Sequence, residues 1–193
     1  MASASRTRRN MLEAAGIAVA TDPAALDEAA LKDAARRDGL GADACALRLA
    51  AAKAAAVAPR HPGALVIGAD QMLECGGQWL DKPADVAAAR AQLVLLRGRS
   101  HTLHSAVAAA EGGRVAWQHV EPARLAMRRF SDAFLDAYIA AQGAQLCDCV
   151  GAYRLEGPGA QLFERIAGDY FAILGLPLLP LLAFLRDRGA IAA

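Results

Sequence analysis

Aromatic residues are scarce in this 193-residue chain, at 5% of the total, and neither sign of charge prevails. Lys and Arg number 21 against 20 Asp and Glu, a formal charge of +1. That balance excludes a global basic footprint, so no nucleic-acid partner is expected and any anion has to be met by a local cluster. Cysteine is sparse as well. Cys45, Cys75, Cys147 and Cys149 fit neither a disulfide framework nor a C-x-x-C zinc pattern, and Cys147 and Cys149 read as alternate positions of a strand. No basic-then-apolar leader opens the sequence, and the expectation is a reduced, cytoplasmic protein. The longest apolar run, "YFAILGLPLLPLLAFL" at 170–185, has only 16 residues and is broken by Pro177 and Pro180. A membrane helix needs roughly 20, so no membrane partner is expected. Repeats, a Walker A loop and a G-x-S-x-G elbow are all missing.

What is abundant is small and apolar. Hydrophobic residues make up 55% and charged ones 21%, a globular composition. A chain of this length buries roughly 70% of its extended surface, and a single domain over 1–193 is the expected organisation. Helical spacing predicts helices over 7–16 and 42–58, a helix after "DKP" within 81–98, one over 131–142 capped by Ser131, and a last one running from Pro177 to Gly189. Strands are predicted at 64–70, 101–110 and 114–128, the last two joined at Gly112-Gly113, with "GGQ" at 76–78 as a hairpin turn. Short strands and loops fill 145–174, including a buried strand ending near Gly175. Interleaved helices and strands with hairpins predict an α/β protein with a mixed sheet.

Three features carry charge into places that otherwise want to be dry. "LVIGADQML", 65–73, sets Asp70 at the predicted end of an apolar strand. A carboxylate there either caps the turn or holds a divalent metal or takes a proton from water. "SASRTRR", 3–9, brings Ser3, Ser5, Thr7 and Arg8 to a helix N-terminus, where free N–H groups favour phosphate; the plain alternative is a capped helix with a solvated basic end. Lys53 sits among alanines and either snorkels to water or faces a site, and Lys82 in "DKP" has the same two readings. His101 and His104, three apart on a predicted strand, fall on opposite faces and cannot ligate a metal together.

In order along the chain, "SASRTRRNML", "LDE", "LAAAKA", "VIGADQ", "LDKP", "GAYRLEG" and "IAGDYFAILGLPL" give a sequence that resembles the Maf family over essentially its whole length. The resemblance implies an elongated α/β fold of the inosine-triphosphatase type, a mixed sheet flanked by helices with a cleft. It also implies cleavage of nucleoside triphosphates to a monophosphate and pyrophosphate with a divalent cation, Mg²⁺ or Mn²⁺. Asp70 matches the family's proton acceptor and Glu28 an acid near the metal, so both are the implied metal ligands. Lys53 and Lys82 match two lysines facing the triphosphate, and Ser3 and Arg8 match the phosphate-binding loop that also contains Ser5 and Thr7. Gln71 and Glu156 stand where the pyrimidine-preferring members carry Thr and Gln, and the pair resembles the subgroup acting on 7-methylguanosine triphosphate. A carboxylate suits the two N–H donors of guanine's pairing edge. Thr7 occupies a place where pyrimidine-preferring members have Arg and the methylguanosine ones commonly Trp. The alternatives are a dTTP- or UTP-preferring pyrophosphatase and a nucleotide-binding regulator of cell division with little turnover. Homodimerisation is implied as a further partner mode. The family's first strand precedes the Ser-rich loop, and this chain starts almost inside that loop, so the strand is expected to be missing or truncated.

Overall fold

The computed structural model describes residues 1–192. The helices are α1 (Arg6–Ala14), α2 (Glu28–Arg37), α3 (Ala42–Val57), α4 (Val86–Leu96), α5 (Asp132–Gln142), α6 (Tyr170–Ile173) and α7 (Leu178–Asp187). The strands are β1 (Val66–Cys75), β2 (Gln78–Leu80), β3 (Ser100–Glu111), β4 (Arg114–Met127) and β5 (Phe163–Ala167). They form one open sheet in the order β2-β1-β3-β4-β5, and the outer pairs β1–β2 and β4–β5 are antiparallel. This is the α/β class that the interleaved periodicities predict. The two Gly-Gly turns behave as their sequence demands: Gly76 and Gly77, like Gly112 and Gly113, all have positive φ, which a tight hairpin turn needs and glycine supplies without strain.

Three expectations need correction. β1 does not stop at residue 70 but continues to Cys75, because Met72, Leu73 and Cys75 keep it buried until the glycine turn. Asp70 therefore lies mid-strand, not at a strand tip. Residues 143–152 form short 3-10 turns, so Cys147 and Cys149 are not alternate residues of a strand. The segment before Gly175 is the one-turn helix α6, begun by Asp169, whose Oδ1 accepts from the Ala172 N–H at 2.8 Å, and not a buried strand. Helix α2 was not foreseen; Asp27 caps it through the Ala30 N–H at 2.9 Å.

The chain divides into two compact units. The first comprises Met1–Gln71, His104–Glu121 and Asp169–Ala193. Its strands are sandwiched between helices. On one face Ile67, Ala69, Val107 and Ala109 pack with Met11 and Leu12 of α1 and with Leu178, Leu181 and Leu185 of α7. On the other, α3 lies directly against β1. A Cβ on Gly68 would stand 2.2 Å from the Ala50 carbonyl oxygen and 2.6 Å from the Ala54 nitrogen, so only glycine facing an alanine helix permits this approach. The alanine abundance of the sequence is spent here on close backbone packing. The edge of β1 is closed by the start of the chain, where the Ala2 N–H donates to the Ile67 carbonyl at 2.7 Å.

The second unit comprises Met72–Leu103 and Pro122–Gly168. The Arg128 guanidinium lies 4.3 Å from the Phe134 ring centre, and Arg97 binds the Asp132 carboxylate at 2.7 Å. At its centre His101 Nε2 is 2.7 Å from the Tyr153 hydroxyl, and Tyr153 meets Phe163 edge to face at 4.8 Å. Burial pushes His101 down to about 4 from its ordinary 6.5. Between those two values the unfolded chain binds a proton that the folded one refuses, so stability falls as pH drops from 6.5 towards 4 and gains nothing further above 6.5. We expect His101→Gln to flatten the loss of unfolding free energy between neutral pH and about pH 4.5, measured by urea denaturation. An unchanged slope in the variant would show that His101 titrates normally in the folded protein.

Candidate functional site

The site is built within the first unit from four segments. Ser5 caps α1, its Oγ accepting from the Arg8 N–H at 3.3 Å, and Ser3 Oγ accepts from the Ser5 N–H at 3.2 Å. These bonds fix the turn that launches Arg8 from the first turn of α1. Asp27 launches α2 in the same way, which places Glu28 at that helix's first residue. Lys53 lies on the buried face of α3 and Asp70 on β1, in register with Gly68, so the tight packing at Gly68 sets their separation. Side chains alternate along a strand. Asp70 shares Gly68's α3-facing side, and Gln71 points to the opposite one.

Lys53 is the hub. Its Nζ lies 2.7 Å from Asp70 Oδ1 and 2.9 Å from Glu28 Oε1. Lys53 and Asp70 are nearly sealed from solvent, with side chains 11% and 9% exposed, while Glu28 keeps 43%. An ammonium has three N–H donors, so two are committed to the carboxylates and one is left over. Two carboxylates on one ammonium leave one net negative charge, which is open to solvent on the Glu28 side.

Arg8 borders this triad. Its Nη1 donates to the Ala69 carbonyl at 2.9 Å and to Ser3 Oγ at 3.4 Å, and its Nε to the Gly175 carbonyl at 2.7 Å. Carbonyls two residues apart on a strand face the same edge, so Arg8 and Ala2 close adjacent positions of β1. Burial pulls the guanidinium below its usual value, and the charges of Asp70 and Glu28 pull it back.

The other predicted positions fall as follows. Thr7 is half-buried on α1. Gln71 is half-buried, with its amide nitrogen 2.8 Å from Ser105 Oγ and within 3.2 Å of the Ala172 and Ile173 carbonyls. Lys82 and Glu156 belong to the second unit and are exposed there; Glu156 Oε1 accepts from Arg154 Nε at 3.3 Å. Sequence reasoning passed over Ser105 and Gly175. The signal for Ser105 was a lone hydroxyl in the otherwise apolar run "SAVAAA". Among the described residues, no group of three or more His, Cys, Asp or Glu could by itself hold a metal ion.

A family model described as Maf-like protein matches residues 1–188. The chain belongs to the Maf family. Among its Maf relatives, a nucleoside triphosphate pyrophosphatase of Granulibacter bethesdensis is 52% identical over 191 residues, covering 99% of this chain and 97% of the relative. A 7-methyl-GTP pyrophosphatase of Mesorhizobium japonicum is 48% identical over 191 residues, covering 99% and 96%. Another of that name from Rhizobium meliloti is 47% identical over 193 residues, covering 100% and 97%. Among the described residues no helix is long and apolar enough to cross a membrane; within the apolar run at 170–185, Leu176, Leu178, Leu181 and Leu185 are buried in the core while Tyr170 and Leu179 are exposed.

A buried ion pair adds little net stability, but removing one partner strands the other. Lys53→Met should therefore lower the unfolding free energy by about 3–5 kcal/mol, and adding Asp70→Leu should recover most of that loss. A loss of less than about 1 kcal/mol in urea denaturation would place Lys53 among ordinary surface ion pairs.

Proposed function

We propose that this Maf protein hydrolyses nucleoside triphosphates between the α and β phosphates at the Glu28–Lys53–Asp70 triad, giving a nucleoside monophosphate and pyrophosphate. The observation that carries the reading is one lysine gathering two carboxylates from separate segments, in a chain about half identical to relatives named as pyrophosphatases.

Asp70 accepts a proton from a water aimed at the α phosphorus. The water oxygen bonds to that phosphorus, the bond to the bridging oxygen breaks, and the electron pair leaves with pyrophosphate. Lys53, through its uncommitted N–H, neutralises the charge that develops there, and Arg8 holds the substrate's phosphates. Ser3, Ser5 and Thr7 sit where the α1 N-terminus favours phosphate oxygens. By its match to the family's second lysine, Lys82 is assigned to the triphosphate.

Asp70 and Glu28 are hard oxygen donors that already share one cation, and Mg²⁺ is commonly held by one or two carboxylates plus substrate phosphates. The residues present therefore fit Mg²⁺ or Mn²⁺, with Asp70 and Glu28 as its protein ligands. When bound, such an ion supplies charge stabilisation on the phosphates.

For the base, we assign Gln71 and Glu156 to recognition of a modified purine nucleotide such as 7-methyl-GTP. An exposed carboxylate accepts guanine's N–H donors and complements the positive charge of N7-methylation. Two relatives bear that substrate in their names.

Asp70→Asn should cut pyrophosphate release at least about a hundredfold in assays with nucleoside triphosphates and Mg²⁺ or Mn²⁺, with the fold retained. Turnover equal to the parent's would remove Asp70 from the reaction. The double variant Gln71→Thr with Glu156→Gln should move the substrate ranking from 7-methyl-GTP towards UTP and dTTP. If the parent's ranking persists, these two residues do not choose the base.

A further inference from the structure

Ser105 is fully buried on β3, and its hydroxyl oxygen is 2.6 Å from the Ala172 carbonyl oxygen. A carbonyl only accepts, so the hydroxyl hydrogen is committed to α6. The same oxygen must then accept from Gln71 Nε2, which stands 2.8 Å away. That nitrogen also faces the carbonyls of Ala172 at 3.2 Å and Ile173 at 3.0 Å. Three oxygens around one nitrogen settle which end of the amide carries hydrogens, and the whole chain of donors has a single sense. β1 and β3 thus grip α6 by its carbonyls.

The grip continues to the phosphate-loop arginine. Just past α6, the Gly175 carbonyl accepts from Arg8 Nε at 2.7 Å. Gly175 has φ +101°, a conformation that L side chains rarely adopt, and a Cβ there would stand 3.4 Å from Arg8 Nε and Nη2 and 3.7 Å from Gln71 Oε1. The turn at Gly175 is therefore closed on Arg8 on one side and on Gln71 on the other. Arg8 takes its direction from two carbonyls, Ala69 on β1 and Gly175 behind α6, and the second is held only as firmly as α6.

We propose that Ser105 is a positioning residue for Arg8: it fastens α6 to the sheet, directly and through Gln71, and so fixes the Gly175 carbonyl that aims the guanidinium. The assignment rests on the reading of Arg8 as a ligand of the substrate's phosphates. Because Gln71 and Asp70 face opposite sides of β1, loss of the brace acts on substrate binding and leaves proton transfer at Asp70 alone.

Steady-state kinetics of nucleoside triphosphate hydrolysis tests this in a double-mutant cycle. Ser105→Ala removes two bonds, the one to the Ala172 carbonyl and the one from the Gln71 amide; KM should rise about tenfold with kcat little changed, and Ser105→Thr should restore KM. In an Arg8→Lys background, which already lacks the aimed fork, Ser105→Ala should raise KM by less than about twofold, since coupled residues are not additive. A parent-like KM in Ser105→Ala overturns the proposal, as does an equal rise in both backgrounds, which is what a purely structural defect gives. Should Ser105→Ala fail to fold, Ser105→Cys, whose thiol is only a weak donor, enters the same cycle with the same expected and overturning results. Arg8→Lys with an unchanged KM removes the phosphate reading and this proposal with it. A raised KM there beside a flat Ser105→Ala removes the positioning role alone.

Discussion

A buried ammonium must find negative partners, and the first unit is organised around that requirement. Lys53 enters the interface between α3 and β1 among Ala50, Ala54 and Gly68, with no polar neighbour on its own helix face to satisfy it. Asp70 from the strand and Glu28 from α2 supply the carboxylates. Each of the three would be costly to bury alone, so the triad ties together α2, α3 and β1, neighbouring elements in the chain. The same arrangement leaves one surplus negative charge and one unused N–H, the opposing features that a water-activating phosphate site needs.

Small residues make that triad possible. The Cβ-free surface of Gly68 lets α3 approach until its backbone touches β1, and at that distance a lysine on α3 reaches the aspartate two residues further along the strand. The other face of β1 is governed by carbonyls instead of charges. Arg8, Gln71 and Ser105 bind the backbone oxygens of Ala69, Ala172, Ile173 and Gly175. Asp70 and Gln71 are chain neighbours, yet strand alternation assigns them to separate networks, one charged and one neutral. Arg8 at the strand edge is the group that reaches both, bonded to the neutral network and attracted by Asp70 and Glu28.

Much of this was legible in the sequence, and the reasons differ by element. Helices α1, α3, α5 and α7 declared themselves through apolar spacing and through stops or caps such as Ser131 and Pro177, and the long hairpin through its Gly-Gly turn. Asp70, Lys53 and Arg8 stood out as charges in dry or phosphate-favouring surroundings. Lys53 alone was ambiguous, because a lysine in an alanine helix reads equally as snorkelling; only its tertiary partners decide. The end of β1 was misplaced because the acid looked like a stop, while burial of Met72, Leu73 and Cys75 carried the strand onward. Helix α2 escaped because its single buried position, Ala35, is small, so no stripe of large apolar residues marks it. Ser105 escaped because a lone hydroxyl in an apolar run does not name its partners, here the Gln71 amide and the Ala172 carbonyl.

Nitrogen-detected NMR of the lysine side chains reads directly whether Lys53 is held as an ammonium by both acids at once. An ammonium locked between carboxylates exchanges its hydrogens slowly, so Lys53 should give a resolved side-chain signal at neutral pH that shifts or vanishes in both Asp70→Asn and Glu28→Gln. A Lys53 signal that averages with those of Lys32 and Lys82, or that ignores either substitution, would contradict the account.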